Sequence, residues 1–137
     1  MSVTRYLVDT NVLLRFLSGE PAPQAAAARK LFERAATGEV ILEISPVIVA
    51  EAFYTLHSFY NVDRKTTAEK LSLLLQQHGV KLRDEHAVIE ALDRIRTANV
   101  GFADAYLAAS AAEEKLSVAS FDRDFDKLSA ARFEPKA

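Results

Sequence analysis

The sequence predicts an α/β fold in which helices cover both faces of a parallel sheet. Two observations support this prediction. Short apolar runs, several rich in branched residues, alternate with longer amphipathic segments along the chain, and this alternation favours parallel strands joined by helices. The composition of 50% hydrophobic and 26% charged residues suits a packed core. At 137 residues we expect a single domain spanning 1–137.

The first part of the chain predicts a strand followed by two helices. A short apolar run over 6–8 ends at the polar triplet 9–11, and a short helix follows up to Gly19. Apolar residues with helical spacing predict a longer helix over 21–37, which ends at Gly38.

The middle of the chain repeats the order of strand and helix. Branched residues predict a strand over 40–44, after which Ser45 is expected to cap a helix that runs to about Tyr60. Asp63 is expected to cap the next helix, which ends at His78-Gly79. A short strand is predicted over 80–82.

The last part of the chain predicts two more helices and a final strand. Asp84 is expected to cap a helix with inward-facing apolar residues, and an Ala-rich helix is predicted over 102–115. A final buried strand over 117–119 and a short segment over 122–128 complete the predicted order.

Charge and composition exclude several function classes. The 17 basic and 19 acidic residues give a formal net charge of −2, so nucleic acid would have to be held by a local patch or by a metal. The absence of cysteine excludes disulfides, thiolate metal sites and cysteine nucleophiles, and it fits a cytoplasmic location. We expect no signal peptide, because the start of the chain has no basic segment followed by an apolar stretch of ~7 to 15 residues. We expect no membrane partner, because charges interrupt every apolar run well before the ~20 residues of a membrane helix.

Three acidic residues stand alone in apolar sequence. Asp9, Glu51 and Asp104 are each the only acidic or basic residue for several positions in either direction. Acidic side chains are almost never fully buried unless they are paired or bound to a metal. Their presence in segments suited to a core therefore needs a cause.

The predicted topology brings these acids together with Asp122. The ends of parallel strands and the starts of the following helices meet at one edge of the sheet. Asp9 follows the first strand, Asp122 follows the last, and Asp104 lies in the first turn of the preceding helix. Glu51 lies roughly 7 to 8 Å below its helix start but can reach upward, because helical side chains lean toward the N-terminus.

Four converging carboxylates require a cation. Two unit charges ~4 Å apart repel by ~4 kcal/mol at an effective dielectric constant of ~20. Oxygen donors without paired His or Cys favour Mg²⁺ or Mn²⁺. Such a centre can activate water and stabilise an in-line displacement at phosphorus, which is the chemistry of metal-dependent nucleases.

Four segments resemble motifs of the PIN domain family, specifically of VapC-type toxins from bacterial toxin–antitoxin pairs. They follow the family's order over nearly the whole chain and are Tyr6-Leu7-Val8-Asp9-Thr10-Asn11-Val12-Leu13-Leu14, Val49-Ala50-Glu51, Phe102-Ala103-Asp104-Ala105 and Ser120-Phe121-Asp122-Arg123-Asp124-Phe125. The resemblance implies a three-layer α/β/α sandwich with a central parallel sheet. It also implies a Mg²⁺- or Mn²⁺-dependent endoribonuclease that cleaves RNA with metal-activated water, is inhibited by a cognate antitoxin and forms a homodimer.

The resemblance also assigns roles to residues. The catalytic metal ligands would be Asp9, Glu51, Asp104 and Asp122. Polar support would come from Thr10, Asn11 and Ser120, the last being a position that is often Thr in the family. Asp124 and Asp126 are alternatives to Asp122 as the fourth acid. Apart from the resemblance, Arg15, Arg123 and Lys127 are candidate phosphate contacts near the acidic edge, and they suit a solvated surface equally well.

Two other functions compete with the nuclease. Asp9 also suits the nucleophile of a metal-dependent phosphatase or phosphotransferase of the haloacid-dehalogenase type, although residue 11 is Asn where that class places a second Asp. The chain could also be a catalytically silent domain whose acids bind a metal or accept Arg from a partner. Taken singly, Asp9, Asp104 and Asp122 are also compatible with helix caps or first-turn acids.

Overall fold

The computed structural model describes residues 3–137, in which strands and helices alternate as predicted. The strands are β1 (Thr4–Leu7), β2 (Val40–Ile44), β3 (Val80–Leu82), β4 (Val118–Ala119) and β5 (Arg132–Phe133). The helices are α1 (Thr10–Ser18), α2 (Ala22–Ala36), α3 (Pro46–Ser58), α4 (Arg64–Leu75), α5 (Glu85–Ala98) and α6 (Phe102–Glu114), followed by a 3₁₀ helix (Arg123–Leu128). None of the helices in this part of the chain has the length and apolarity needed to cross a bilayer.

The strands form two parallel sheets. β2 lies between β1 and β3, and β4 pairs with β5. Leu7 lies opposite Glu43 and Ile44 lies opposite Leu82, so the first three strands end at one edge. The parallel sheet flanked by helices confirms the predicted fold class. β4 lies within the strand predicted over 117–119, but its pairing with β5 in a second sheet is not predicted, because β5 has only two residues and is too short for a pattern.

The core lies between β2 and the surrounding helices. β2 alternates buried and half-buried residues, as expected for a strand covered by helices. Among the largest fully buried side chains are Phe53, Phe102, Leu13, Leu42, Ile44, Leu71, Leu92 and Ile95. Burial of each such side chain stabilises the fold by about 1.5 to 3 kcal/mol before the entropic cost of ordering. β1 differs from β2, because all four of its residues are exposed.

Three predicted helix caps have different outcomes. Asp63 caps α4 as predicted, since its Oδ1 accepts a hydrogen bond from the backbone N–H of Thr66 at 2.7 Å. Ser45 occupies the cap position of α3 but makes no hydrogen bond there with its side chain. Asp84 precedes α5 in a left-handed conformation with φ of 56°, and its side chain does not cap the helix. Its carboxylate instead accepts a hydrogen bond from the hydroxyl of Tyr106.

The end of α4 also differs from the prediction. The helix ends at Leu75, before the expected stop at His78-Gly79. Gly79 adopts φ of +85° and lies against α2, where an added Cβ would be 2.2 Å from the carbonyl oxygen of Ala35. This glycine therefore allows close approach of the loop before β3 to α2 rather than ending a helix.

Candidate active site

The turn after β1 holds Asp9 at the start of α1. Asp9 has an extended backbone, and its Oδ1 accepts a hydrogen bond from the N–H of Thr10 at 2.8 Å. This cap explains why α1 begins at Thr10, two residues before the apolar segment that starts at Val12. The buried Thr10 hydroxyl donates to Glu51 Oε2 at 2.8 Å. Thr10 thus links the turn containing Asp9 to the acid on α3.

The other acids lie around the start of α6. Asp104 is half-buried in the first turn of this helix. Burial raises its pKa, the negative charges of Asp122 and Asp124 raise it further, and the positive charge of Arg64 lowers it. Asp104 therefore lies within electrostatic reach of the segment after β4.

Asp122 is held by two local hydrogen bonds. Its backbone N–H donates to Ser120 Oγ at 2.9 Å, and its Oδ1 accepts from the N–H of Asp124 at 2.8 Å. Asp122 thereby caps the 3₁₀ helix. Asp126 lies on the same segment, but its Oδ1 is 3.3 Å from Nε of Arg132. Of the three neighbouring acids, Asp122 and Asp124 therefore raise the pKa of Asp104, and Asp126 forms an ion pair with Arg132 of β5.

The four predicted ligands thus fall into two groups, Asp9 with Glu51 and Asp104 with Asp122. Their oxygen donors suit a hard divalent cation, and such a cation would offset both the burial and the repulsion that raise the pKa of Asp104. Within residues 3–137, however, no three acidic or histidine side chains converge closely enough to enclose a metal ion. The donor chemistry fits the predicted metal, and the metal centre itself stays a prediction.

Two side chains that sequence reasoning missed support the start of α6. The Tyr54 hydroxyl, on α3, accepts a hydrogen bond from the N–H of Ala103 at 3.4 Å. Gly101 leaves room for it, because a Cβ there would be 3.1 Å from the same hydroxyl. Arg64 Nη1 donates to the carbonyl of Asn99 at 3.2 Å in the preceding loop. These contacts join residues far apart in the chain, so no local pattern could have indicated them.

The predicted cations have different surroundings. Nε of Arg15 donates to Gln24 Oε1 at 2.8 Å, and both residues line a cleft together with Asn11 of α1. Nζ of Lys127 is 3.4 Å from Asp124 Oδ1, next to the second acidic group. Arg123 is exposed at the start of the 3₁₀ helix.

Asp9 borders two further clefts. One has a volume of about 360 Å³ and includes Glu43 and Arg83 in its walls. The other has a volume of about 300 Å³ and includes Arg34. Arginines thus lie in clefts on more than one side of Asp9, although the chain as a whole has a net charge of −2. Sequence reasoning did not single out Arg34 or Arg83.

Comparison with known families gives a match that covers most of the chain. The sequence model described as "PIN domain" matches residues 6–131. This range contains the four predicted ligands, the first three strands from Tyr6 onward, all six α-helices and the 3₁₀ helix. A comparison with curated proteins gives no match.

Proposed function

Because this chain belongs to the PIN domain family, we propose that it is a Mg²⁺- or Mn²⁺-dependent endoribonuclease and the toxin of a VapC-type pair. PIN domains are generally nucleases and typically use divalent metal ions. The observation that carries the proposal is that Asp104, half-buried at the start of α6, lies within electrostatic reach of Asp122 and Asp124. These residues lie within the range matched by the family.

In this proposal Asp9, Glu51, Asp104 and Asp122 hold the metal. When bound, a divalent metal would lower the pKa of a water molecule and stabilise negative charge at phosphorus. Asp124 is retained as the alternative to Asp122, since its charge also acts on Asp104. Asp126 is the weaker alternative, because Arg132 neutralises it.

The polar residues around the acids orient them. Thr10 fixes one carboxylate oxygen of Glu51 through its buried hydroxyl. Ser120 holds the backbone of Asp122, whose carboxylate is turned toward its own helix start. The Tyr54 hydroxyl holds the first turn of α6 and thereby the backbone that presents Asp104. Fixed ligands of this kind reduce the cost of assembling a metal site.

We also propose that a cognate antitoxin inhibits the enzyme and that two copies form a homodimer. Several large apolar side chains are exposed, among them Phe59 at 75% and Leu73 at 72%. Contact with another chain would remove these side chains from water, which favours association. In this proposal residues 1–137 act as one domain in the cytoplasm.

The proposal is tested by incubating purified protein with total RNA in Mg²⁺, Mn²⁺ or EDTA. Loss of a residue that merely supports a metal ligand costs about 10- to 100-fold, so Asp104→Asn should lower the cleavage rate by at least about 100-fold. Asp93→Asn is the control, because Asp93 is an exposed acid on α5 that pairs with Arg96 and is not a proposed ligand, and we expect it to retain activity. Circular dichroism should show that both variants are folded.

The outcomes separate the nuclease from the competing functions. Cleavage that requires metal and is lost only in Asp104→Asn supports the nuclease. Absence of cleavage by folded wild-type protein in either metal contradicts it. Turnover of small phosphate esters with an aspartyl-phosphate at Asp9 would then indicate a phosphatase or phosphotransferase. Binding of a partner without any turnover would indicate a silent domain.

A further inference from the structure

The cleft that contains Arg83 lies at the edge of the sheet beside Asp9. Its volume of about 360 Å³ is near the lower end of the range of about 300 to 1,000 Å³ for small-molecule sites. Leu7 and Ile48 contribute apolar surface to its walls, and Leu7 is 69% exposed. The cleft thus offers an apolar surface next to one of the proposed metal ligands.

Glu43 contributes negative charge to this cleft, and two arginines share its carboxylate. The Glu43 side chain is only 13% exposed, and its Oε2 accepts a hydrogen bond from Nε of Arg5 at 2.6 Å. The second oxygen of Glu43 is 3.6 Å from Nε of Arg83, which is beyond hydrogen-bond length. Two guanidinium groups therefore share one carboxylate. The other acid of the cleft, Asp9, is one of the proposed metal ligands, and a bound divalent cation would offset its charge.

Arg83 is the cation of this pair that lines the cleft. Its backbone N–H donates to the carbonyl of Ile44 at 3.0 Å, which fixes the start of its side chain at the edge of the sheet. The side chain is 58% exposed, so its donors are accessible from the cleft. An arginine fork held in this way suits a phosphate group.

We propose that this cleft binds a nucleotide of single-stranded RNA next to the bond that is cut, with Arg83 contacting its phosphate. The proposal rests on the proposed nuclease function. Single-stranded RNA exposes unstacked bases, which pack on apolar side chains, and phosphates, which arginine binds. The cleft supplies an apolar surface for the base and Arg83 for the phosphate, and Asp9 lines the same cleft. It gives an acidic protein a local site for a polyanion.

The test compares Arg83→Gln with Arg96→Gln. Arg96 is the matched control, since its Nη1 is also 3.6 Å from a carboxylate, that of Asp93, and its side chain is 47% exposed. Affinity for a short labelled single-stranded RNA of mixed sequence is measured by fluorescence anisotropy at several salt concentrations. All proteins carry Asp104→Asn, so that the RNA is not cut during the measurement.

Arg83→Gln should weaken binding about tenfold, which is the lower end for loss of a charge-assisted hydrogen bond at an exposed site. It should also lower the slope of log affinity against log salt by about 0.7, the value for one phosphate contact in a single strand. Arg83→Lys should keep the slope, because it keeps the charge. Arg96→Gln should change neither quantity. A merely structural role for Arg83 would not alter the slope.

Unchanged affinity and slope in folded Arg83→Gln would overturn the proposal. The same losses in Arg96→Gln would also overturn it, since they would reflect net charge alone. The nuclease is tested separately with proteins that retain Asp104, where Arg83→Gln should raise KM for RNA about tenfold with little change in kcat. Binding that depends on Arg83 without any metal-dependent cleavage would support the cleft as a nucleotide site and refute the nuclease.

Discussion

Replacing Thr10 with valine is expected to release Glu51 without disturbing the fold. Thr10 is 7% exposed, and its hydroxyl donates to Glu51 Oε2 at 2.8 Å. Valine has nearly the same size and is also branched at Cβ, so the packing of α1 against α3 is retained. The substitution removes one hydrogen bond and leaves a methyl group against the carboxylate.

The size of the effect follows from the surroundings of the two groups. A hydrogen bond to a charged acceptor contributes about 1.5 to 3 kcal/mol. Glu51 is exposed, so water replaces part of the lost interaction, and the expected loss is about 1 kcal/mol of unfolding free energy. For a domain of this size that loss corresponds to a decrease in Tm of about 3 to 5 °C. Cleavage should fall by about 10- to 100-fold, the usual effect of losing a group that orients a metal ligand.

The assay combines thermal unfolding with Mn²⁺-dependent RNA cleavage. Thr10→Ser is the matched control, since it keeps the hydroxyl and loses only a methyl group, and it should retain most of the activity. Glu51→Ala, which removes the acceptor, and the double variant with Thr10→Val complete a double-mutant cycle. We expect a coupling energy of about 1 kcal/mol between the two positions, because they are in direct contact.

Two results would refute this reasoning. The first is equal cleavage by Thr10→Val and the wild type, which would show that the hydroxyl does not orient Glu51. The second is strict additivity of the unfolding free energies in the cycle, which would show that the hydrogen bond makes no contribution.

Two further predictions concern stability. The hydrogen bond to Asp84, aided by burial, raises the pKa of Tyr106 from 10.0 to about 12. Because Tyr106 is partly exposed, water screens this interaction, and Tyr106→Phe should lower the free energy of unfolding by only about 1 kcal/mol near neutral pH. That difference is present below pH 10 and should vanish as the pH rises through about 12, which urea unfolding at several pH values would check. Gly79 has φ of +85°, and a Cβ there would be 2.2 Å from the carbonyl oxygen of Ala35. Gly79→Ala should therefore lower the free energy of unfolding in urea by about 3 kcal/mol. Gly38→Ala, at φ of +84° with no atom within 4 Å, should lose only about 1 kcal/mol, and equal losses would contradict the close-approach argument.

The sequence predicts the order of elements because apolar periodicity and turn residues are local signals. β2 over Val40–Ile44 and β3 over Val80–Leu82 have the predicted bounds, and α6 ends one residue earlier than expected. β5 was missed because two residues contain no periodicity. Asp84 was misjudged as a cap because its partner, Tyr106, lies on another helix.

The residues of the candidate site also differ in whether a local sequence pattern can indicate them. Isolated acids in apolar sequence predict Asp9, Glu51 and Asp104 as site residues, the predicted topology adds Asp122, and their role as ligands stays a prediction. The link from Thr10 to Glu51 spans 41 positions, and the contact between Tyr54 and Ala103 spans 49. Contacts of this kind depend on how helices pack, which no window of sequence encodes.

The division of the strands into two sheets has a mechanical consequence. Asp9 follows the sheet of β1 to β3 and Asp122 follows the sheet of β4 and β5, and no ladder joins these sheets within residues 3–137. The two halves are connected by side chains, such as the rings of Phe53 and Phe102 with centroids 6.3 Å apart. The distance between the two acidic groups is therefore set by helix packing and not by strand pairing. Core substitutions that contact no proposed ligand would therefore change the distance between the two acidic groups.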